Sequence, residues 1–327
     1  MFTICTVGCG WMSSTGHGPS LKKYSEDREG VVLAGCCDLD EGRAIEYKEK
    51  FGFKKHYTDM KTMIAECRPD VVSVIMPVNL TAKIATEIMK LGCNVIMEKP
   101  PGKNIDETNA LVAIAREMGV SARVSFNRRY FPLITETMKR IKETGEKVDS
   151  VTCQMYRFNR PDADFSTTIV HVIDAVKYIA GSDFASAKME YTPMPELGEG
   201  VKDIFMTCRF ENGSVAQIIA APNSGSVTER FTVNTRNHTY FIDLPVWGNL
   251  DTPGKLVIQH EGKENEVVDG RSLIDTEEMF EMSGFYGANA SYFDLLREGK
   301  QIIDLDTAID CVKLQDAVRD NITEWHR

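Results

Sequence analysis

Short apolar runs alternate with amphipathic stretches through the first third of the chain. Phe2–Val7, Val31–Cys37, 71–76 and Asn94–Met97 are rich in Val, Ile and Cys and too short for helices. Such runs suit strands buried on both faces. Between them, 40–51, 59–67, 81–91 and 105–118 carry apolar residues at helical spacing. Weaker strands are expected near His56-Tyr57 and over 123–126. Strands alternating with helices of this length predict a parallel sheet of right-handed βαβ units.

The pattern then changes. Residues 132–144 read as a helix and 148–158 as a strand. An amphipathic helix over 167–181 ends at a glycine cap. Strand-like runs follow at 187–192, 203–210, 214–221, 228–235, 239–244 and 255–260, with Asn212-Gly213 as a tight hairpin turn. Helices over 286–298 and 306–325 close the chain, and Trp325 and His326 read as packing and tail. Consecutive strands with short turns predict a largely antiparallel sheet. The expected fold class is therefore α/β: an N-terminal dinucleotide-binding domain, 1–125, and a C-terminal α+β domain, 126–327, built on a large open sheet.

Composition narrows the function. The chain has 327 residues, 43% hydrophobic and 26% charged, as in a soluble globular protein of about two domains. Its net charge of −10 argues against nucleic acid or an anionic membrane as the main partner. No apolar run approaches the length of a membrane span. The nine cysteines show no CxxC pair and no metal-like spacing, so no metal is expected and reduced thiols in a cytoplasm are. The N-terminal residues read as a strand, not a signal peptide.

The candidate chemistry lies at predicted strand ends. Gly8-Cys9-Gly10 follows the first strand; the first glycine permits a tight turn and the second lets backbone approach a pyrophosphate. Trp11 and Met12 follow directly and join the cofactor-binding set. The third glycine of that pattern is Ser13. Residues 13–19 are poor helix formers, so the first helix is expected to start late, near Pro19, behind a longer phosphate loop. Asp38 ends the second strand, where an acid accepts hydrogen bonds from a ribose diol and repels a 2′-phosphate. With Asp40 and Glu41 beside it, this favours NAD over NADP. Asp38 could equally cap the helix starting near Glu41. Pro77 and Asn79 follow the fourth strand. Glu98, Lys99 and Pro100 follow the fifth, and a lysine at a carboxyl edge can hold a substrate hydroxyl or carbonyl.

These blocks, with Phe126-Asn127-Arg128-Arg129 after the sixth strand, resemble the glucose–fructose oxidoreductase/inositol dehydrogenase (Gfo/Idh/MocA) family over nearly the whole chain. The resemblance implies a Rossmann domain and hydride transfer between NAD and a hydroxyl of a sugar or polyol. It implies that Lys99 binds the reacting hydroxyl, that His171 is the acid/base, that the Lys99–Pro100 peptide is cis, and that the large sheet serves a homodimer or homotetramer. Read alone, a histidine on an amphipathic helix is more often a hydrogen-bonded core residue; its setting in Val-His-Val-Ile-Asp favours catalysis. The other histidines carry no constellation. Arg128, Tyr156, Arg157, Thr167 and Thr168 are candidate substrate contacts, and two arginines could bind a carboxylate or phosphate.

Two positions depart from the family pattern. Thr167 stands where its sugar dehydrogenases carry an aspartate, and Thr81 where a histidine is often found. A threonine cannot be an anionic partner for His171. This leaves a Lys99–His171 dyad or a different reaction. The alternatives are a redox-neutral, NAD-retaining enzyme that cleaves glycosides by elimination, and a non-catalytic sensor of NAD and sugar.

Overall fold

The structure, a computed structural model, describes residues 1–274, 276 and 278–327. It divides into two compact units, Met1–Phe126 with Phe285–Ile309, and Asn127–Gly284 with Asp310–Arg327. The sequence pattern predicts a single boundary, after 125. The chain instead returns to the first unit through a helix whose apolar face is needed there.

The first unit holds strands β1 (Phe2–Val7), β2 (Val31–Cys37), β3 (Lys55–Tyr57), β4 (Val71–Val74), β5 (Asn94–Met97) and β6 (Ala122–Val124). They form one parallel sheet in the order β3-β2-β1-β4-β5-β6. Helices α1 (Gly18–Asp27), α2 (Glu41–Phe51), α3 (Met60–Cys67), α4 (Val78–Lys90) and α5 (Ile105–Met118) connect them. The order reverses between β1 and β4, where such sheets bind ligands at the carboxyl edge. The core joins Phe2, Ile4, Leu21, Tyr24, Phe51 and Ile96 to Tyr292 and Phe293. The last two belong to the returning helix, Phe285–Arg297, where the Phe293 ring meets Tyr24 at 5.2 Å and Asp294 accepts the Tyr24 hydroxyl at 2.8 Å.

The first helix does not start late. Trp11 and Met12 are already helical, Ser13–His17 is a π-helical turn, and α1 follows without a break. Local propensity is overridden by packing. A Cβ on Gly16 would stand 3.0 Å from the Phe285 ring, and one on Gly18 2.5 Å from Phe51, so these glycines let the helix lie close against its neighbours.

The second unit adds α6 (Pro132–Thr144), β7 (Val148–Tyr156), α7 (Ser166–Ala180), β8 (Phe184–Pro193), β9 (Lys202–Phe210), β10 (Val215–Ala221), β11 (Thr228–Thr235), β12 (His238–Asp243), β13 (Lys255–His260), β14 (Glu264–Asp269) and β15 (Glu324–His326). Among the described residues these strands form a sheet ordered β14-β13-β12-β11-β7-β10-β9-β8-β15, antiparallel except between β7 and β10. Gly213 makes the expected hairpin turn at φ +86°. Period-two alternation buries Ile204, Met206 and Cys208 under the helices and leaves Phe205, Thr207 and Arg209 on the open face. Two elements were not expected. The final helix ends at Arg319, and Trp325 then pairs with Ala187 as the edge strand β15. The acidic strand β14 forms the opposite edge. Among the described residues no helix is long and apolar enough to cross a membrane.

Candidate active site

In the first unit the sequence-predicted residues meet at the carboxyl edge of the sheet. Gly8 sits at φ +96°, and a Cβ there would lie 2.1 Å from the Ile75 carbonyl oxygen, so only glycine fits between the β1 and β4 loops. Its N–H donates to the Cys37 carbonyl at 2.8 Å. Gly10 is exposed, with nothing within 4 Å of where its Cβ would point. That open backbone leaves room for a diphosphate to approach. Beside it lies a cleft of about 200 Å³ lined in part by Cys9, Trp11, Arg43 and Lys50. Trp11 is 67% exposed.

Asp38 ties this loop to the second strand. Its Oδ2 accepts from Cys9 N–H at 2.9 Å, and its Oδ1 accepts from Asp40 N–H at 2.9 Å and the Arg43 guanidinium at 2.8 Å. Partial burial pushes the carboxyl up, but Arg43 and the two backbone donors outweigh it and hold it below the usual range. It is an ionised acceptor, as a ribose diol requires. The cap of α2 is Asp40, whose Oδ1 accepts from Arg43 N–H at 3.0 Å.

Pro77 precedes α4, and Pro77 and Asn79 are exposed. Buried Thr81 donates within reach of the Met76 and Pro77 carbonyls, both at 3.1 Å, and so braces this loop. After β5, Glu98 is 7% exposed and Lys99 half-buried, and the Lys99–Pro100 peptide is cis, as the resemblance implies. The Glu98 Oε2 accepts from Lys99 N–H at 3.1 Å. Its Oε1 lies 2.8 Å from Nε2 of His17, a residue given no role from sequence. Burial pushes the Glu98 carboxyl up; His17 and Lys99 overcome this and keep it below its ordinary value. No sequence signal marks the pair, because the residues are far apart along the chain and meet only through the π turn.

In the second unit, α7 presents Thr167, Thr168 and His171 in its first turns, each half-buried. Just before this helix, the Asp164 carboxylate accepts from the Ser166 N–H at 3.0 Å and from its hydroxyl. Thr167 Oγ1 lies 3.4 Å from the Asp164 carbonyl. One turn after His171, Asp174 is fully buried and accepts from Arg129 Nε at 2.9 Å and Nη2 at 2.5 Å. Arg129, overlooked as a functional residue in the sequence, therefore fixes the helix that carries His171. Arg128 and Arg157, expected as substrate contacts, both bind Glu229, which is fully buried. Arg128 donates at 2.9 and 3.1 Å, and Arg157 at 2.5 Å. Tyr156, half-buried, ends β7 beside this clamp.

Residues 2–126 match the family described as an oxidoreductase family with an NAD-binding Rossmann fold. The chain is 24% identical to levoglucosan dehydrogenase of Pseudarthrobacter phenanthrenivorans over 260 residues, 68% of this chain and 63% of that protein. It is 26% identical to D-glucoside 3-dehydrogenase of Escherichia coli over 136 residues, 42% of this chain and 37% of that protein. Neither match spans two thirds of the relative's own length. A solved levoglucosan dehydrogenase in complex with NADH and levoglucosan shares the fold at a TM-score of 0.82 and 17% identity, over 99% of both chains. Joined to the glycine turn, Asp38 and the Glu98-Lys99-Pro100 edge, the first of these matches shows that residues 2–126 are similar to the NAD-binding Rossmann domain of that oxidoreductase family.

Proposed function

We propose that this protein is an NAD-dependent dehydrogenase that oxidises a hydroxyl of a sugar, polyol or glycoside, or reduces the corresponding carbonyl. The observation that carries the reading is the carboxyl edge of the parallel sheet: open backbone at Gly10, an ionised acceptor at Asp38, and Lys99 held beside the ionised Glu98. These groups fit a dinucleotide. Gly8 and Gly10, with Trp11 and Met12, would hold the diphosphate, Asp38 the adenosine ribose, and Pro77, Asn79 and Glu98 the nicotinamide half. NAD, when bound, supplies the acceptor for the hydride.

The chain's own residues supply the rest. Lys99 carries three donors and binds the substrate oxygen, stabilising negative charge as the hydroxyl proton leaves. His171 takes that proton at an imidazole nitrogen in oxidation and returns it in reduction. Thr167 and Thr168 offer hydroxyls to neighbouring substrate oxygens, with Tyr156 as a further contact. Thr167 is a neutral partner, so the proton work falls on Lys99 and His171. Arg128 is committed to Glu229 and orders the segment that precedes α6. That the relatives include dehydrogenases named for levoglucosan and a D-glucoside supports a cyclic sugar as the substrate class. On the open face, Phe241, Val257 and Val267 stand in register across three strands and support a homo-oligomer, and nine cysteines that form no disulfide among the described residues support a cytoplasmic setting.

The test is NADH formation at 340 nm with saturating NAD and a panel of aldoses, polyols, inositols, sugar acids and glycosides. One class should react, and Lys99→Ala should lower kcat by about 10³-fold or more while NAD affinity stays within a few-fold. NAD binding with no NADH formed from any compound, or a Lys99→Ala protein that keeps most of its turnover, refutes the reading.

A further inference from the structure

The buried group at the carboxyl edge for which the reaction has no use so far is His17. It is fully buried and lies on the π-helical turn Ser13–His17. Its Nε2 is 2.8 Å from Glu98 Oε1, its Nδ1 is 3.3 Å from Asn289 Nδ2, and its ring edge meets Phe285 at 5.2 Å. The proton's place on the ring follows from the neighbours. Asn289 Nδ2 also donates to the Phe285 carbonyl at 3.1 Å. That carbonyl can only accept, so it fixes which end of the amide faces it. The amide then points its second N–H at His17 Nδ1, which must accept. Nε2 therefore carries the ring hydrogen and donates it to Glu98.

Glu98 passes the constraint on. One carboxylate oxygen takes the His17 donor and the other takes the Lys99 backbone N–H at 3.1 Å. Both oxygens are thereby fixed in a site almost closed to water. A carboxylate held at two points holds the main chain of the next residue, from which the Lys99 ammonium projects.

We propose that His17 is a positioning residue for hydride transfer: through Glu98 it sets the main chain of Lys99, and with it the placement of the lysine on the reacting oxygen. This rests on the catalytic reading of Lys99. Misplacing a reacting group by about 1 Å costs on the order of 100-fold in rate. Loss of the His17 donor should therefore appear in kcat far more than in cofactor binding: Asp38 and the glycine turn are untouched, and Glu98 keeps its contact with the Lys99 N–H.

Two variants test this against wild type and Lys99→Ala. His17→Leu keeps apolar volume and removes the donor. His17→Gln places an amide N–H near the position of Nε2. Three quantities are read on each: kcat and KM for the reactive sugar, NADH affinity by fluorescence titration without sugar, and deuterium exchange of the peptide containing Glu98 and Lys99. His17→Leu should lose about 30- to 100-fold in kcat, hold NADH within about threefold, and exchange faster at Lys99. His17→Gln should recover most of the kcat and the slow exchange. If His17→Leu gives no folded protein, His17→Asn, whose shorter amide falls short of Glu98, replaces it with the same expectations. The proposal is overturned if the donor-less variant keeps kcat within about threefold of wild type, or if His17→Gln is equally impaired. A fully active Lys99→Ala overturns both this and the catalytic reading. An inactive Lys99→Ala beside an unimpaired His17→Leu overturns this alone.

Discussion

Replacing Glu229 by glutamine tests how the second unit is held together at the end of β7. Glu229 is fully buried and receives both Arg128 and Arg157. Glutamine has one acceptor oxygen and would turn an NH2 toward one of the two guanidinium groups. Two buried cations would then share no anion, and a broken buried pair of this kind costs about 3–5 kcal/mol. For a unit of this size that is a fall of roughly 10 °C in melting temperature. The sign with pH follows from the carboxyl. Burial alone would raise it, but the charges of Arg128 and Arg157 bring it down from 4.5 to about 2. A depressed carboxyl stabilises the fold above its unfolded value and loses that contribution as pH falls through the folded one. On the order of 3 kcal/mol should disappear between about pH 4.5 and pH 2. Urea unfolding of wild type and Glu229→Gln at a series of pH values checks it. The gap should be widest near neutrality and narrow through the acid range. A gap under about 1 kcal/mol at neutral pH, or one that does not change with acid, refutes the reasoning.

Other substitutions separate the parts of the site. Asp38→Ala removes the acceptor for Cys9 N–H and frees the Arg43 guanidinium; affinity for NAD should fall by about tenfold or more, and the NADP-to-NAD preference should rise, in titrations with both cofactors. Gly8→Ala puts a Cβ against the Ile75 carbonyl in a left-handed backbone; it should destabilise the first unit by about 2 kcal/mol or more and abolish NAD binding, by melting and titration. Asp174→Asn weakens the buried pair with Arg129 one turn after His171; kcat should fall more than NADH affinity, with a loss of about 2–4 kcal/mol in unfolding.

What could be read from sequence was what short-range pattern encodes. The β-rich run ending in Gly8-Cys9-Gly10, the strand stopped by Pro100 and the glycine that ends α7 each announce themselves within a few residues. The elements that escaped depend on distant partners. β14 is acidic and forms a strand because β13 offers it an edge, and β15 exists because Trp325 meets Ala187. The site divides in the same way. Asp38 and Lys99 sit at strand ends and could be named. The groups that hold the site in place, Glu229 for Arg128, Arg129 for Asp174 and His17 for Glu98, lie tens of residues from their partners. Their pairing is decided by sheet order and helix packing, which no local spacing contains.

The segment that misled most shows how local irregularities resolve together. Ser13 stands where the pattern calls for a third glycine, and Pro19 has no N–H to give an α-helical ladder. The structure takes both up in one π turn. Ser13 is buried and donates to the Tyr47 hydroxyl at 2.9 Å, so the side chain that glycine would lack finds a partner in α2. The Ser13 carbonyl accepts from Gly18 N–H, five residues on, which places one extra residue in the turn. In an α-helix each residue advances about 100° around the axis. Without the extra residue, α1 would be rotated by that amount relative to the residues before the turn. The poor helix formers of this stretch therefore serve the site: Gly16 and Gly18 admit the rings of Phe285 and Phe51, and the π turn aims His17 at Glu98. A sequence that improved helical propensity here would strengthen the helix and lose the contact.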